Sequence, residues 1–140
     1  MQDSQKALPV VAALIMDPEG RCLLCQRSEH MKRPLHWEFP GGKIEAGETG
    51  EAALRRECME ELKIGLDVGA QMAETVWTYP DVTVRLTLYL CHIQDGTPTA
   101  LEHRTVSWVA SENVADYALC PADRELWKQC QSLVVQDEKQ

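Results

Sequence analysis

Apolar and polar positions divide the beginning of the chain into strands joined by turns. Residues 8 to 16 are almost uninterrupted apolar sequence, rich in Val and Ala, and the turn sequence Asp17 to Gly20 follows them. This run predicts a buried strand that ends in a turn, and residues 21 to 27 predict the returning strand. The polar segment Ser28 to Leu35 contains Pro34 and predicts an exposed loop.

The spacing becomes helical between Thr49 and Leu62. Thr49 has a side chain that can cap a helix, and Glu51 lies in the first turn, where the helix dipole favours negative charge. Leu54 and Cys58 recur with Leu62 at helical spacing, so we expect these three side chains to form one buried stripe.

The second half of the chain predicts a hairpin, a further strand and a terminal helix. Residues 74 to 79 and 82 to 93 flank Pro80 and Asp81, and the second segment alternates strictly between apolar and polar positions. Its apolar face consists of Val82, Val84, Leu86, Leu88 and Leu90.

Residues 105 to 110 predict another short strand, and we expect Ser111 to cap a short helical turn after it. Residues 121 to 134 predict a helix with Leu126, Cys130 and Leu133 facing inward. Strands and helices are mixed without strict alternation, which favours a mixed α/β sandwich. We expect residues 1–140 to form a single domain.

Composition and charge restrict the classes of partner. The chain has 140 residues, 44% of them hydrophobic, and a net charge of −8, which repels the phosphate backbone of nucleic acid. It contains no apolar run of the roughly 20 residues that a membrane helix needs. We therefore expect a cytoplasmic protein that binds neither nucleic acid nor membrane. A polyanionic substrate would require bound cations.

The six cysteines are expected to be reduced thiols, because the chain has enough apolar sequence for a core without disulfide staples. Cys22 and Cys25 form an isolated CxxC in a predicted strand, where residues three apart point to opposite faces. The second ligand pair of a zinc site is missing, so we interpret both as core residues.

Three carboxylates share one face of the predicted helix. Glu57, Glu60 and Glu61 stand at i, i+3 and i+4, and Ala53 on the same face leaves space beside them. Such a group repels itself unless a hard cation lies among the acids, and Mg²⁺ prefers carboxylate oxygens together with substrate phosphates. The alternative from the spacing alone is a solvated acidic helix face.

The segment around these acids resembles the Nudix box, G-x5-E-x7-REUxEExGU with U aliphatic. The sequence Gly41 to Ile64 matches it at Gly42, Glu48, Arg56, Glu57, Glu60, Glu61 and Ile64. Cys58 replaces the first aliphatic residue, and Lys63 stands where the motif has glycine. Since that glycine ends the helix in a left-handed conformation, lysine there should cost about 1 kcal/mol.

The resemblance implies a Nudix fold, in which a mixed, curved β-sheet lies between α-helices. It implies that Glu57, Glu60 and Glu61 hold Mg²⁺, with Mn²⁺ a tolerated substitute, and that the carbonyl of Gly41 is a further ligand. By the same resemblance, Arg56 orients the glutamates through charge-assisted hydrogen bonds.

Two further acids are candidates for catalysis. Glu102 lies in a polar turn before the last predicted strand, where MutT-type members carry an acid that joins the metal cluster or acts as base. An ordinary loop glutamate is the alternative. Glu48 is a competing base, or simply an acid at the helix start. The four histidines, His30, His36, His92 and His103, form no ligand pair at helical spacing, and none is assigned a role.

Sequences outside the box resemble MutT-type and CTP pyrophosphohydrolase-type members of the family. They are Leu24 to Arg27, Trp37 to Lys43 and Pro121 to Asp123. The resemblance implies that Arg27 contacts phosphate, that Phe39 lies against the base and that Asp123 bonds the base edge. Their alternatives are a surface charge, a core aromatic and a first-turn acid. Asp81 matches a substrate-side position more weakly and is favoured as a turn residue.

These observations lead to the hypothesis of a Mg²⁺-dependent hydrolase that converts a nucleoside triphosphate and water into a monophosphate and pyrophosphate. The substrate would be an oxidised or modified nucleotide, (d)CTP, or several triphosphates. A hydrolase of nucleoside diphosphate-linked compounds and a non-catalytic nucleotide-binding module are the alternatives. We expect a monomer or a homodimer.

Overall fold

The structure is a computed structural model that describes residues 6–139. The strands are β1 (Leu8–Ile15), β2 (Arg21–Gln26), β3 (Trp37–Glu38), β4 (Gly41–Lys43), β5 (Gly65–Thr78), β6 (Thr83–Asp95) and β7 (Thr105–Ala110). The helices are α1 (Gly50–Leu62), a 3-10 helix (Ser111–Asp116) and α2 (Pro121–Lys139). Across this described range, every helix is too short or too polar to span a bilayer.

The strands form two sheets, with the orders β4-β1-β6-β5 and β3-β2-β7. β1 and β6 are parallel, whereas the other pairs are antiparallel. The predicted returning strand is present as β2, but it does not pair with β1. β2 instead joins β3 and β7, and a bridge between Met16 and Cys22 connects it to the first sheet. The predicted mixed α/β sandwich is confirmed, with its strands divided between two sheets.

β1 is buried on both faces, which explains its continuous apolar sequence. Ala12 and Leu14 face a core shared with α2, whereas Val11, Ala13 and Ile15 face a core shared with α1. The buried stripe of α1 is also confirmed: it consists of Ala53, Leu54, Cys58 and Leu62. The first sheet thus lies between the two helices, and α1 packs against it.

All six cysteines are buried, and within residues 6–139 none of them forms a disulfide bond. Cys22 and Cys25 belong to opposite cores, as the strand spacing predicts. Burial raises the pKa of the Cys25 thiol well above its ordinary value, so it stays protonated. Both residues fill apolar space in the fold.

Three expectations about the second half of the chain are wrong in detail. Leu133 is 52% exposed, and Trp127 and Val134 take inward positions instead. The side chain of Ser111 does not cap the 3-10 helix, because its hydroxyl donates to the carbonyl of Gly20. β5 begins nine residues before the predicted Glu74, since three register shifts interrupt the alternation in that half of the strand.

Candidate active site

The acidic helix α1 begins and ends as its sequence predicts. Thr49 Oγ1 accepts a hydrogen bond from the N–H of Ala52 at 3.1 Å and caps the first turn. At the other end, Lys63 adopts the left-handed conformation with φ 63° and donates its N–H to Met59 O. Gly42 of β4 lies against the carboxylate of Glu57, since a Cβ at this glycine would be 2.3 Å from Glu57 Cδ. Any residue with a Cβ at position 42 would displace this carboxylate.

Arg56 ties several acids of the site together. Its Nε and Nη2 donate to the two oxygens of Glu48 at 2.7 and 3.0 Å, and Nη2 also donates to the carbonyl of Lys43. Its Nη1 lies 3.2 Å from Glu57 Oε2 and 3.3 Å from Glu60 Oε1. The hydrogen bond to Arg56 lowers the pKa of Glu48 to about 2. Glu48 is therefore a charged partner of Arg56 at neutral pH.

The three box glutamates differ in exposure. The side chain of Glu60 is 56% exposed, that of Glu57 is 16% exposed, and one oxygen of Glu61 is buried without a hydrogen-bond partner. Burial, followed by a hydrogen bond with Glu57 and the nearby charges of Glu57, Glu102 and Glu38, raises the pKa of Glu61 to about 9. Without a cation, Glu61 therefore carries a proton at neutral pH.

The donor set fits a hard divalent cation. Within residues 6–139, no three His, Cys, Asp or Glu side chains are already arranged to hold a metal ion. The buried oxygen of Glu61, however, lacks a partner, and the nearby charges of Glu57, Glu102 and Glu38 oppose its ionisation. A cation beside it would satisfy this oxygen and reverse the repulsion, and oxygen ligands suit Mg²⁺ and Mn²⁺.

A cleft of about 470 Å³ lies beside these acids, and Glu61 is the box glutamate that lines it. Gly41, Glu102, Phe39 and Asp123 line the same cleft. This volume is within the range of small-molecule sites. Residues from distant parts of the sequence therefore face one space.

β3 brings the start of α2 to the cleft. The N–H of Cys120 donates to the carbonyl of Trp37 at 2.8 Å, and the N–H of Phe39 donates to Asp123 Oδ2 at 3.0 Å. Burial, together with the nearby charge of Glu38, raises the pKa of Asp123 to about 8. Phe39 is only 3% exposed and its ring centroid lies 6.3 Å from that of Trp127. Phe39 therefore belongs to the core and also forms part of the cleft wall.

The remaining substrate-side candidates are engaged in ion pairs at the cleft. Arg27 Nη1 lies 2.9 Å from Glu38 Oε1, and Arg33 Nη1 lies 2.9 Å from Asp81 Oδ1. The Arg33 guanidinium also covers the ring of Tyr79 at 3.9 Å. Asp81 therefore connects the β5–β6 turn to the loop after β2.

The sequence did not predict the contact between Glu38 and His103. His103 Nε2 lies 2.9 Å from Glu38 Oε2, and its side chain is 3% exposed although it belongs to a polar turn. Both residues line the cleft. The position of His103 directly after Glu102 is the one signal in the sequence that could have indicated a role.

Comparison with known proteins gives a consistent assignment. Residues 6–130 match the model of the NUDIX domain. The chain is 39% identical to the CTP pyrophosphohydrolase of Escherichia coli (84% of this chain, 87% of the relative) and 33% identical to the 8-oxo-dGTP diphosphatase of Haemophilus influenzae (87% and 90%). The crystal structure of the MutT NUDIX hydrolase from Burkholderia pseudomallei superposes with a TM-score of 0.79 at 27% identity, covering 88% of this chain and 97% of that one. The chain belongs to the Nudix hydrolase family.

Proposed function

We propose that this protein hydrolyses a nucleoside triphosphate to a nucleoside monophosphate and pyrophosphate, with a divalent metal ion as cofactor. The observation that carries the proposal is one cleft that is lined both by Glu61 of α1 with Glu102 and by Phe39 with Asp123. A triphosphate in this cleft would place its phosphates beside the two glutamates and its base beside Phe39 and Asp123. The names of the two relatives support the same reaction class.

Glu57, Glu60, Glu61 and the carbonyl of Gly41 would hold Mg²⁺, with Glu102 on the flank of Glu61. When bound, the metal neutralises the polyphosphate and makes its phosphorus more electrophilic. Arg56 keeps Glu57 and Glu60 oriented through its hydrogen bonds.

Glu102 is the better candidate for the base that takes a proton from the attacking water. It is exposed at the cleft, whereas both oxygens of Glu48 are occupied by Arg56. A general base needs a free lone pair within reach of that water. We therefore assign Glu48 to the positioning of Arg56.

Asp123 and Phe39 would select the base. Asp123 offers a carboxyl group that accepts from an exocyclic amine when ionised and donates to a ring acceptor when protonated. Phe39 supplies an apolar edge to the same wall. Arg27 would contact a phosphate oxygen from its position beside Glu38. We favour cytosine nucleotides, because the CTP pyrophosphohydrolase of Escherichia coli is the more similar of the two relatives, at 39% identity against 33%.

Two alternative functions predict different assay results. A hydrolase of nucleoside diphosphate-linked compounds would cleave UDP-glucose or ADP-ribose and leave triphosphates intact. A non-catalytic binding module would bind nucleotide without turnover, but the full set of box acids disfavours it.

A panel assay tests the proposal. Normal, methylated and oxidised triphosphates, UDP-glucose and ADP-ribose would be incubated with Mg²⁺, and pyrophosphate and phosphate would be measured separately. We expect pyrophosphate with CTP or dCTP among the best substrates, loss of activity in EDTA, and recovery with Mg²⁺ or Mn²⁺. Pyrophosphate from none of the triphosphates would contradict the proposal.

We also propose that residues 1–140 act as one domain, in the cytoplasm, as a monomer or homodimer. Contacts of β5 with both α1 and α2 support the single domain. A nucleotide substrate, present in the cytoplasm, supports the location. Sedimentation equilibrium would measure the oligomeric state.

A further inference from the structure

His103 is distinguished from the other histidines by its burial. All four histidines lie within residues 6–139, and His103 alone is buried, with a side chain that is 3% exposed. It occupies the polar turn before β7 and lines the cleft. Burial of a polar ring in such a turn requires a physical reason, because its desolvation must be offset by a hydrogen bond.

The hydrogen bond to Glu38 supplies that reason. Glu38 uses one oxygen for Arg27 and the other for His103, each at 2.9 Å. The two nitrogens thus hold both ends of one carboxylate, which fixes its orientation. Arg27, which follows β2, is in turn held in the wall of the cleft by this carboxylate.

The second ring nitrogen of His103 shows that packing is not the reason for this residue. Nδ1 is buried and has no hydrogen-bond partner among the described residues. An unsatisfied buried nitrogen is unfavourable, and an apolar side chain of similar size would avoid it. Retention of the imidazole is therefore explained by the bond that its other nitrogen makes with Glu38.

The same residue anchors the turn that carries Glu102. Around it, the N–H of Leu101 donates to the carbonyl of Glu61 at 3.2 Å, and the N–H of Arg104 donates to the carbonyl of Gln26 at 2.9 Å. The side chain of His103 adds a third attachment between these two, directly beside Glu102. The turn is thereby fixed to α1 and to β2 at once.

We propose that His103 is a positioning residue for the hydrolysis. Through Glu38 it holds Arg27 toward the polyphosphate, and by fixing its own turn it holds Glu102 beside Glu61. This inference rests on the proposed function for its kinetic consequence, whereas its effect on polyphosphate binding is measurable without turnover.

Two substitutions separate the hydrogen bond from the packing. In His103→Gln an amide N–H can still donate to Glu38, whereas His103→Phe fills the space without a donor. His92→Phe is the matched control, because His92 is exposed on β6 and outside the cleft. We expect His103→Phe to lower kcat/KM by about 10- to 100-fold with changes in both kcat and KM, as for other residues that orient a site. His103→Gln and His92→Phe should remain close to the wild type.

A double-mutant cycle tests the route through Glu38. If His103 acts through this carboxylate, His103→Phe combined with Glu38→Ala should be no less active than Glu38→Ala alone. Additive losses would overturn the route. Wild-type activity in folded His103→Phe, or a His103→Gln variant as inactive as His103→Phe, would overturn the role. If His103→Phe does not fold, Glu38→Ala removes the same contact from the other side, because it lacks both oxygen acceptors, and full activity in that variant would be the contradictory result.

Calorimetric titration with Mg²⁺ and inorganic tripolyphosphate gives an answer independent of turnover. His103→Phe should weaken tripolyphosphate binding and His103→Gln should not, because the binding depends on Arg27. If wild type releases no pyrophosphate from any triphosphate, the proposed function fails while this titration still decides the role of His103. Equal affinities in the two variants and the wild type would overturn it.

Discussion

The main-chain N–H of Phe39 donates a hydrogen bond to the buried carboxylate of Asp123 at 3.0 Å, which joins β3 to the first turn of α2. This bond uses one carboxyl oxygen of Asp123, a residue that also lines the cleft. It also explains why a first-turn acid, which would be exposed on most helices, is only 6% exposed here.

Substitution of Asp123 should change the preference among bases. Asp123→Ala removes the carboxyl group that we assign to the base edge, so the ranking of CTP, dGTP and 8-oxo-dGTP by kcat/KM should change by about 10-fold or more. Asp123→Asn is the matched variant, because its amide oxygen can still accept from Phe39 N–H and preserve the fold. A ranking that is unchanged in both variants would remove Asp123 from the base pocket.

Neutralisation of the box acids should abolish turnover without unfolding the protein. Glu57→Gln and Glu60→Gln each remove a proposed metal ligand, and we expect kcat to fall by at least about 100-fold. The control is Glu51→Gln, which neutralises an exposed acid on the same helix outside the cleft. Circular dichroism would verify the helix. Retention of most activity by either site variant would refute its ligand role.

Stability of the metal-free protein should fall as the pH rises. The folded-state pKa of Glu61 is raised from its ordinary 4.5 to about 9, and that of Asp123 is raised as well. A raised pKa means that the folded state keeps a proton which the unfolded chain releases. The stabilising contribution of Glu61 is therefore fully present below pH 4.5 and is lost progressively up to about pH 9.

Thermal unfolding in EDTA across that pH window would measure this loss. Glu61→Gln should flatten the decline and raise Tm at its alkaline end, because a neutral amide requires no proton. Added Mg²⁺ should oppose this decline in Tm. It should bind more tightly as the pH rises, since the proton on Glu61 must leave before the metal binds. A pH-independent Tm in EDTA would show that neither carboxyl is perturbed.

Lys63→Gly should stabilise the protein and leave catalysis unchanged. Lys63 adopts the left-handed backbone conformation with φ 63°. This conformation is strained for lysine, whereas glycine adopts it without steric cost. We expect the free energy of unfolding to rise by about 1 kcal/mol, which corresponds to about 4 °C in Tm. Lys63→Ala keeps the strain and is the control. A lower Tm for the glycine variant would show that the lysine side chain stabilises the folded state by more than the backbone strain destabilises it.

Elements with a single, continuous pattern could be predicted from the sequence. The bounds of β7 and the cap and buried stripe of α1 follow from local periodicity, and β1 reads as a strand because both of its faces are apolar. The first half of β5 could not be predicted. It contains Gly65 and Gly69, and its three register shifts break the alternation on which a strand prediction depends.

The same distinction applies to the site. Glu57, Glu60 and Glu61 lie within one helix, so their spacing alone places them on one face. The contact between Glu38 and His103 spans 65 residues of sequence and is made by pairing of β2 with both β3 and β7. No local pattern encodes such a contact, and a histidine in a polar turn is ordinarily expected at the surface.

The cleft is built from separate stretches of chain. Glu61 belongs to α1 and Glu102 to the turn before β7, whereas Asp123 belongs to α2 and bonds the N–H of Phe39. Mutations that alter substrate choice can therefore accumulate around Asp123 while the machinery for bond cleavage stays intact. A scaffold organised in this way can diversify toward new nucleotides by small steps, each of which still yields a working hydrolase.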